Sequence, residues 1–247
     1  MSGMNLLILI VIFFITSAIG VVTGSNSLIS VPAMFQFGID EKVAIATNMF
    51  GLTFMAIGGS IPFVRAGSID YRRVWPLCAV TIAGSAAGAA LVGLITNENV
   101  KVIVVVAMII VVLFTLVRPD LAKRIRPEVH SAVGMLAVFL LAIYGGLYSG
   151  GYVTILTPTL VAFFAMTYSQ SIAATKLINV FSSGIATIVF IWQGLVDYRL
   201  GLILGAAMFV GAYLGAHFAS RMNEVWLKRI FVATVVLLAV KTLLDLL

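Results

Sequence analysis

The sequence predicts an all-α, polytopic membrane protein. It reads as an inverted repeat of two five-segment halves, each carrying a broken or re-entrant helix near the membrane midplane. Three observations carry this. The 247 residues are 62% hydrophobic and 10% charged, with a mean hydropathy of +1.17, against about 45–50% and about 25% in a soluble domain. The apolar segments between charge clusters run close to the roughly 20 residues that a bilayer-crossing helix needs. Finally, motifs of the first half recur in the second at a nearly constant offset.

In chain order, long apolar segments fall at about 4–22, 43–64, 74–95, 100–117, 132–148, 170–192, 200–220 and 226–246. Two shorter ones, about 27–38 and 151–166, are at or below spanning length and read as half-helices. The first segment opens a repeat and has no Lys or Arg ahead of it, so it is expected to be mature structure rather than a signal peptide. The longest polar stretch, "RPDLAKRIRPEVH" from Arg118 to His130, joins the halves. The expectation is one integral membrane domain, with repeats at 1–122 and 123–247.

The repeat is ordered. "GVVTGSNSLISVP" at 20–32 and "GLYSGGYVTILTP" at 146–158 place Gly20, Gly24 and Pro32 opposite Gly146, Gly150 and Pro158. "ATNMF" from Ala46 matches "ATKLI" from Ala174, "GSIDYR" from Gly67 matches "GLVDYR" from Gly194, and "GSAAGA" from Gly84 matches "GAYLGA" from Gly211. Arg65, Arg72 and Arg73 flank the first of the two "DYR" loops. Arg118, Lys123, Arg124 and Arg126 fill the linker, and Arg221, Lys228 and Arg229 lie near the end, whereas the alternate loops carry Lys101 or Arg199 alone. The positive-inside rule makes the rich loops cytoplasmic. The matching loops then face opposite sides, which defines an inverted repeat with both termini outside. The net charge of +6 reports this orientation, and no soluble domain is present to carry nucleic acid.

Irregular backbone at membrane depth persists only where protein or a wet cavity satisfies its polar groups. Interrupted helices in inverted repeats are the recurring plan of secondary transporters. Gly24, Gly150 and Gly151 would permit the turns and a close approach of backbone to ligand. Ser25, Asn26 and Ser27 are N-cap types. Two helix N-termini, each worth about half a positive charge, would together favour an anion. Lys176 lies inside an apolar segment, about 9 Å along it at 1.5 Å per residue, and corresponds to Asn48 in the first half. A lysine at that depth is costly, and Thr47, Asn48, Thr175 and Asn179 would supply hydrogen bonds beside it.

The two glycine-rich elements ending in "VP" and "TP", the "ATN" and "ATK" motifs and the paired "DYR" loops resemble the sulfite exporter TauE/SafE family of membrane permeases. The resemblance covers nearly the whole chain. It implies transport of small anions, such as sulfite or organosulfonates, across a bacterial inner membrane by a multi-pass protein in the bilayer. This chain departs from the family's usual glycine runs, with "GSNS" and "SGG" in their place. A passive anion channel and a permease for a non-sulfur organic anion remain as alternatives, as do monomer and homodimer.

No nucleophile–base pair, paired carboxylates or metal cluster appears at a plausible depth, which argues against an enzyme. The single cysteine, Cys78, excludes an internal disulfide and a cysteine-based metal cluster. No metal or cofactor is expected. His217, the only histidine inside a span, is the one candidate for proton coupling. Gly84 and Gly88, like Gly211 and Gly215, form small-residue faces for helix packing. Asp70 and Asp197 are expected to cap helices or pair with Arg72 and Arg199. Trp75 and Trp192 read as interfacial anchors.

Overall fold

A computed structural model describes residues 3–24, 26–117 and 131–218, with Val236 and Leu244. Among the described residues there are nine helices: α1 (Gly3–Thr23), α2 (Ser27–Gln36), α3 (Glu41–Arg65), α4 (Tyr71–Leu94), α5 (Asn97–Val117), α6 (Ser131–Leu147), α7 (Tyr152–Phe164), α8 (Tyr168–Trp192) and α9 (Tyr198–Phe218). Five of them, α1, α3, α4, α8 and α9, are long and apolar enough to cross a membrane. The protein is an all-helical, polytopic membrane protein. The expected half-helices are α2 and α7, of 10 and 13 residues; at 1.5 Å per residue they reach only about 15 and 20 Å. The linker at 118–130 and the expected last segment fall outside the described residues, apart from Val236 and Leu244.

Short polar side chains start the long helices. Asp40 Oδ1 accepts from the Lys42 and Val43 amides at the head of α3, at 3.0 and 3.2 Å. Thr167 and Gln170 form a reciprocal capping box on α8. The repeated "DYR" loops are punctuation of the same kind. Gly67 and Gly194 end α3 and α8 in left-handed backbone. Ser68 N then bonds Phe63 O, and Leu195 N bonds Phe190 O, each at 3.1 Å, the back-bonds that close a helix C-terminus. Asp70 next accepts from Arg73 N, and Asp197 from Leu200 N, as expected of caps. The ion pair of Asp70 is with Arg73 at 3.3 Å, three residues on, rather than with Arg72.

Small residues fix which helices touch. A Cβ on Gly88 would collide with the Ile143 carbonyl, and one on Gly84 would sit 2.7 Å from Ala142 Cβ, so α4 lies backbone-close on α6. Gly211 and Gly215 bring α9 equally close to the Phe14 and Ala18 carbonyls of α1. The expected packing faces are therefore packing faces. Helix α3 also packs on α9, α4 on α8, and α3 on α8 at the centre. One apolar core gathers Leu9, Phe13, Leu28, Met49, Met108 and Phe190, and a second gathers Leu77, Tyr152, Leu156 and Ile178. Leu7, Val11 and Ile15 of α1 face outward, as lipid-facing side chains do. Trp75 and Trp192 are exposed too, Trp192 at 84%.

Candidate functional site

The two breaks meet. At the first, Gly24 N donates to Gly20 O at 2.7 Å, and Gly24 adopts φ +81°, a left-handed end to α1. Ser25, a candidate from the sequence, lies outside the described residues. Asn26 holds the N-cap position of α2, but its backbone is helical and its side chain makes no capping bond. Its carbonyl accepts from Ile29 N and Ser30 N at 3.0 and 3.1 Å, so the residue is tied down through its backbone and its amide is spare. At the second break Gly151 is left-handed at φ +80° and directly precedes α7.

Side chains cross between the breaks. Ser27 and Ser149 share a hydrogen bond of 2.7 Å between hydroxyls, and Tyr148 donates its hydroxyl to Ser27 O at 2.9 Å. From α3, Asn48 donates to Ser27 Oγ at 2.9 Å and accepts from Ser30 Oγ at 2.7 Å. Tyr144 donates to Gly150 O. This buried network satisfies polar groups that the broken helices would otherwise leave bare.

Beside the network is a small cavity lined by Gly20, Val21, Gly24, Asn26 and Ser27 of the first break. Ser149 and Val153 from the second, Leu52, Met55, Ala56 and Gly59 of α3, and Lys176 and Asn179 of α8 complete it. Its volume of about 30 Å³, against the roughly 10–15 Å³ one water needs, suits two or three waters. Lys176 is 7% exposed and donates to Val21 O, in the last turn of α1. Among the described residues no carboxylate pairs with it. An ammonium has three donors, so capping one helix-end carbonyl leaves capacity for a ligand. Asn26 is 4% exposed, and neither its Nδ2 nor its Oδ1 has a partner. Gly20 makes room for it, since a Cβ there would stand 2.8 Å from Asn26 Cβ.

Of the sequence candidates, Gly24, Asn26, Ser27, Lys176 and Asn179 line the cavity, and Asn48 supports it through Ser27. Thr47 and Thr175 do not line it: Thr47 Oγ1 accepts from Asp197 N at 3.0 Å, and Thr175 donates to Ile172 O. Gly150 and Gly151 shape the second break without lining the cavity, and Gly151 faces Val111 of α5. His217 is an exposed residue in the last turn of α9 and is not part of the lining. The reading of the sequence missed Gly20, Ser149 and the α3 wall. The wall did leave a signal, because Leu52, Met55, Ala56 and Gly59 recur at helical spacing on one face.

The family model for the sulfite exporter TauE/SafE matches residues 8–242. The chain belongs to the TauE/SafE family. Within that family it is similar to "Probable membrane transporter protein ORF9" of Sinorhizobium sp, 25% identical, covering 96% of this chain and 92% of the relative. A "Probable membrane transporter protein" of Haemophilus influenzae is also 25% identical, over 98% and 96%. "Probable membrane transporter protein YfcA" of Escherichia coli is 24% identical, over 97% and 91%. No solved structure matches. TauE/SafE proteins are a family of bacterial membrane transporters, not enzymes, and this chain is a multi-pass membrane protein of that family.

Proposed function

We propose that the chain is a secondary transporter, working as an exporter, of small anions such as sulfite or organosulfonates across the bacterial inner membrane. The anion would sit between the two breaks against Lys176. One observation carries this reading: a buried lysine that pairs with no carboxylate among the described residues shares a small cavity with an asparagine amide that has no hydrogen-bond partner there. A fixed positive charge in a membrane interior is costly, and an arriving anion offsets that cost. Lysine supplies a compact point charge rather than the bidentate grip of arginine, which suits a ligand that must leave again.

An inverted repeat, with both termini periplasmic, is part of the same proposal. Its support is the pairing of elements: α1 packs on α9 as α6 packs on α4, and α3 packs on α9 as α8 packs on α4. Repeat-matched helices thus have repeat-matched partners. In a chain cleared of Cys78, a cysteine introduced at Lys123 should react only with reagent applied from the cytoplasmic side. One at Asn99 should react from the periplasmic side, and the opposite pattern would discard the orientation.

Transport is tested in proteoliposomes. Internal sulfite or sulfoacetate should drive uptake of external labelled substrate by counterflow, with no ohmic current. Lys176→Met should weaken sulfite binding to the purified protein by about tenfold to a hundredfold, the worth of a charge-assisted hydrogen bond. Ohmic current without counterflow would mean a channel, and an unchanged affinity would leave Lys176 as a helix cap only.

A further inference from the structure

We infer that the cavity selects anions carrying a hydrogen-bond donor of their own, such as a hydroxyl, over isosteric anions that offer only acceptors. This rests on the anion-binding reading above and narrows it. Lys176 is a pure donor, and a bare anion would satisfy it. Asn26 asks for something else. Both its amide atoms are buried without a partner, so whichever way the amide is turned, its two N–H donors and its acceptor oxygen are unmet. An acceptor-only anion answers the Nδ2–H groups and Lys176 but leaves Oδ1 bare. A bare acceptor on a buried side chain carries a penalty.

Two features hold this demand in place. The Asn26 backbone is fixed by bonds from Ile29 and Ser30, and its Cβ rests over the bare Cα of Gly20. The root of the side chain is thereby fixed, and the residue is 4% exposed. Two of the neighbouring polar side chains are already engaged: Ser27 with Ser149 and Asn48, and Asn48 with Ser27 and Ser30. The cavity is small, so the matching ligand is a compact monoanion with its hydroxyl near the charged head.

Calorimetric titration of the purified full-length protein in detergent tests this with two isosteric pairs. Glycolate is compared with propionate, and isethionate with propane-1-sulfonate, at one pH and ionic strength. In both pairs the hydroxylated member should bind about tenfold tighter or more, because a site built around a polar partner rejects the analogue lacking it. Asn26→Leu should bring the ratio within each pair to about one. Equal affinities within the pairs in the natural chain overturn the inference whether or not the variant folds, and so does a hydroxyl preference that survives in Asn26→Leu. Binding that depends on Lys176 but ignores the hydroxyl discards this inference alone. Binding of none of the four while sulfite still binds also discards this inference alone. Binding of neither the four nor sulfite, or binding indifferent to Lys176→Met, discards the anion site with it.

Discussion

At the first break a left-handed glycine ends the preceding helix, and side chains occupy the gap that follows. At the second, the left-handed glycine opens the next helix, and backbone dominates. Gly24 is followed by Ser25, Asn26 and Ser27, whereas Gly151 abuts Tyr152 directly. The first break contributes Asn26 and Ser27 to the cavity, while the second contributes the Ser149 hydroxyl and an apolar Val153. The same asymmetry runs through the matched helices, since Asn48 is committed to Ser27 and Ser30 but its counterpart Lys176 reaches the cavity. The matched sequence elements thus contribute unequally to one cavity. Side-chain polarity comes mainly from the first break, and charge comes from the second half.

The largest effects should come from the two left-handed glycines. Gly151→Val combines a backbone penalty of about 1–2 kcal/mol with a collision of its Cβ against Val111. Gly24→Val meets Thr154 N and Val153 at 3.0 Å, a looser clash. Both should lose transport. Gly151→Val should also lose most folded protein on size-exclusion chromatography, with Gly24→Val retaining more. The reverse ranking would mean that the second break is the softer one.

Exchanging the matched pair is the next test. In Lys176→Asn combined with Asn48→Lys, sulfite affinity should stay at the level of Lys176→Asn alone. Asn48 does not line the cavity, and its amide is held in the serine network. Recovery to near the natural affinity would show that both positions face one chamber, and the asymmetry would fall.

The serine bridge should give the smallest changes. Ser27→Ala removes bonds to both Ser149 and Asn48, Ser149→Ala only the first. Ser149→Ala should cost about 0.5–1.5 kcal/mol and Ser27→Ala more, read as shifts in thermal unfolding in detergent. The double variant should cost less than the sum, because the two share one bond. Full additivity would mean that the breaks are not coupled through this contact.

Much of this was legible in the sequence. Composition and segment length located the long helices because a bilayer imposes one length on them. The breaks announced themselves through glycine, and Lys176 through being a charge in an apolar run. The facing of individual side chains was harder to read. Thr47 and Asn48 are neighbours in sequence but stand about 100° apart on the helix, so one binds the 193–197 loop while the other joins the network. The apolar wall of Leu52, Met55 and Ala56 looks like ordinary core until the neighbouring helices are placed. Gly150 and Gly151 seemed equivalent to Gly24, yet the left-handed turn falls one residue later than the repeat offset implies.

The backbone-close pairs set a timetable for synthesis. Helix α1 docks on α9, which begins at Tyr198. At about 5–20 residues per second, α1 waits about ten to thirty-five seconds on the ribosome's clock for its partner. Helix α3 waits as well, for α8 and α9, with Asn48 and Thr53 already on it. During that interval the early helices stand in lipid with their polar faces uncovered, open to membrane quality control. Each half holds the other's cover. A message truncated after α5 would yield an orphan, and the halves made from separate messages should accumulate only when translated together.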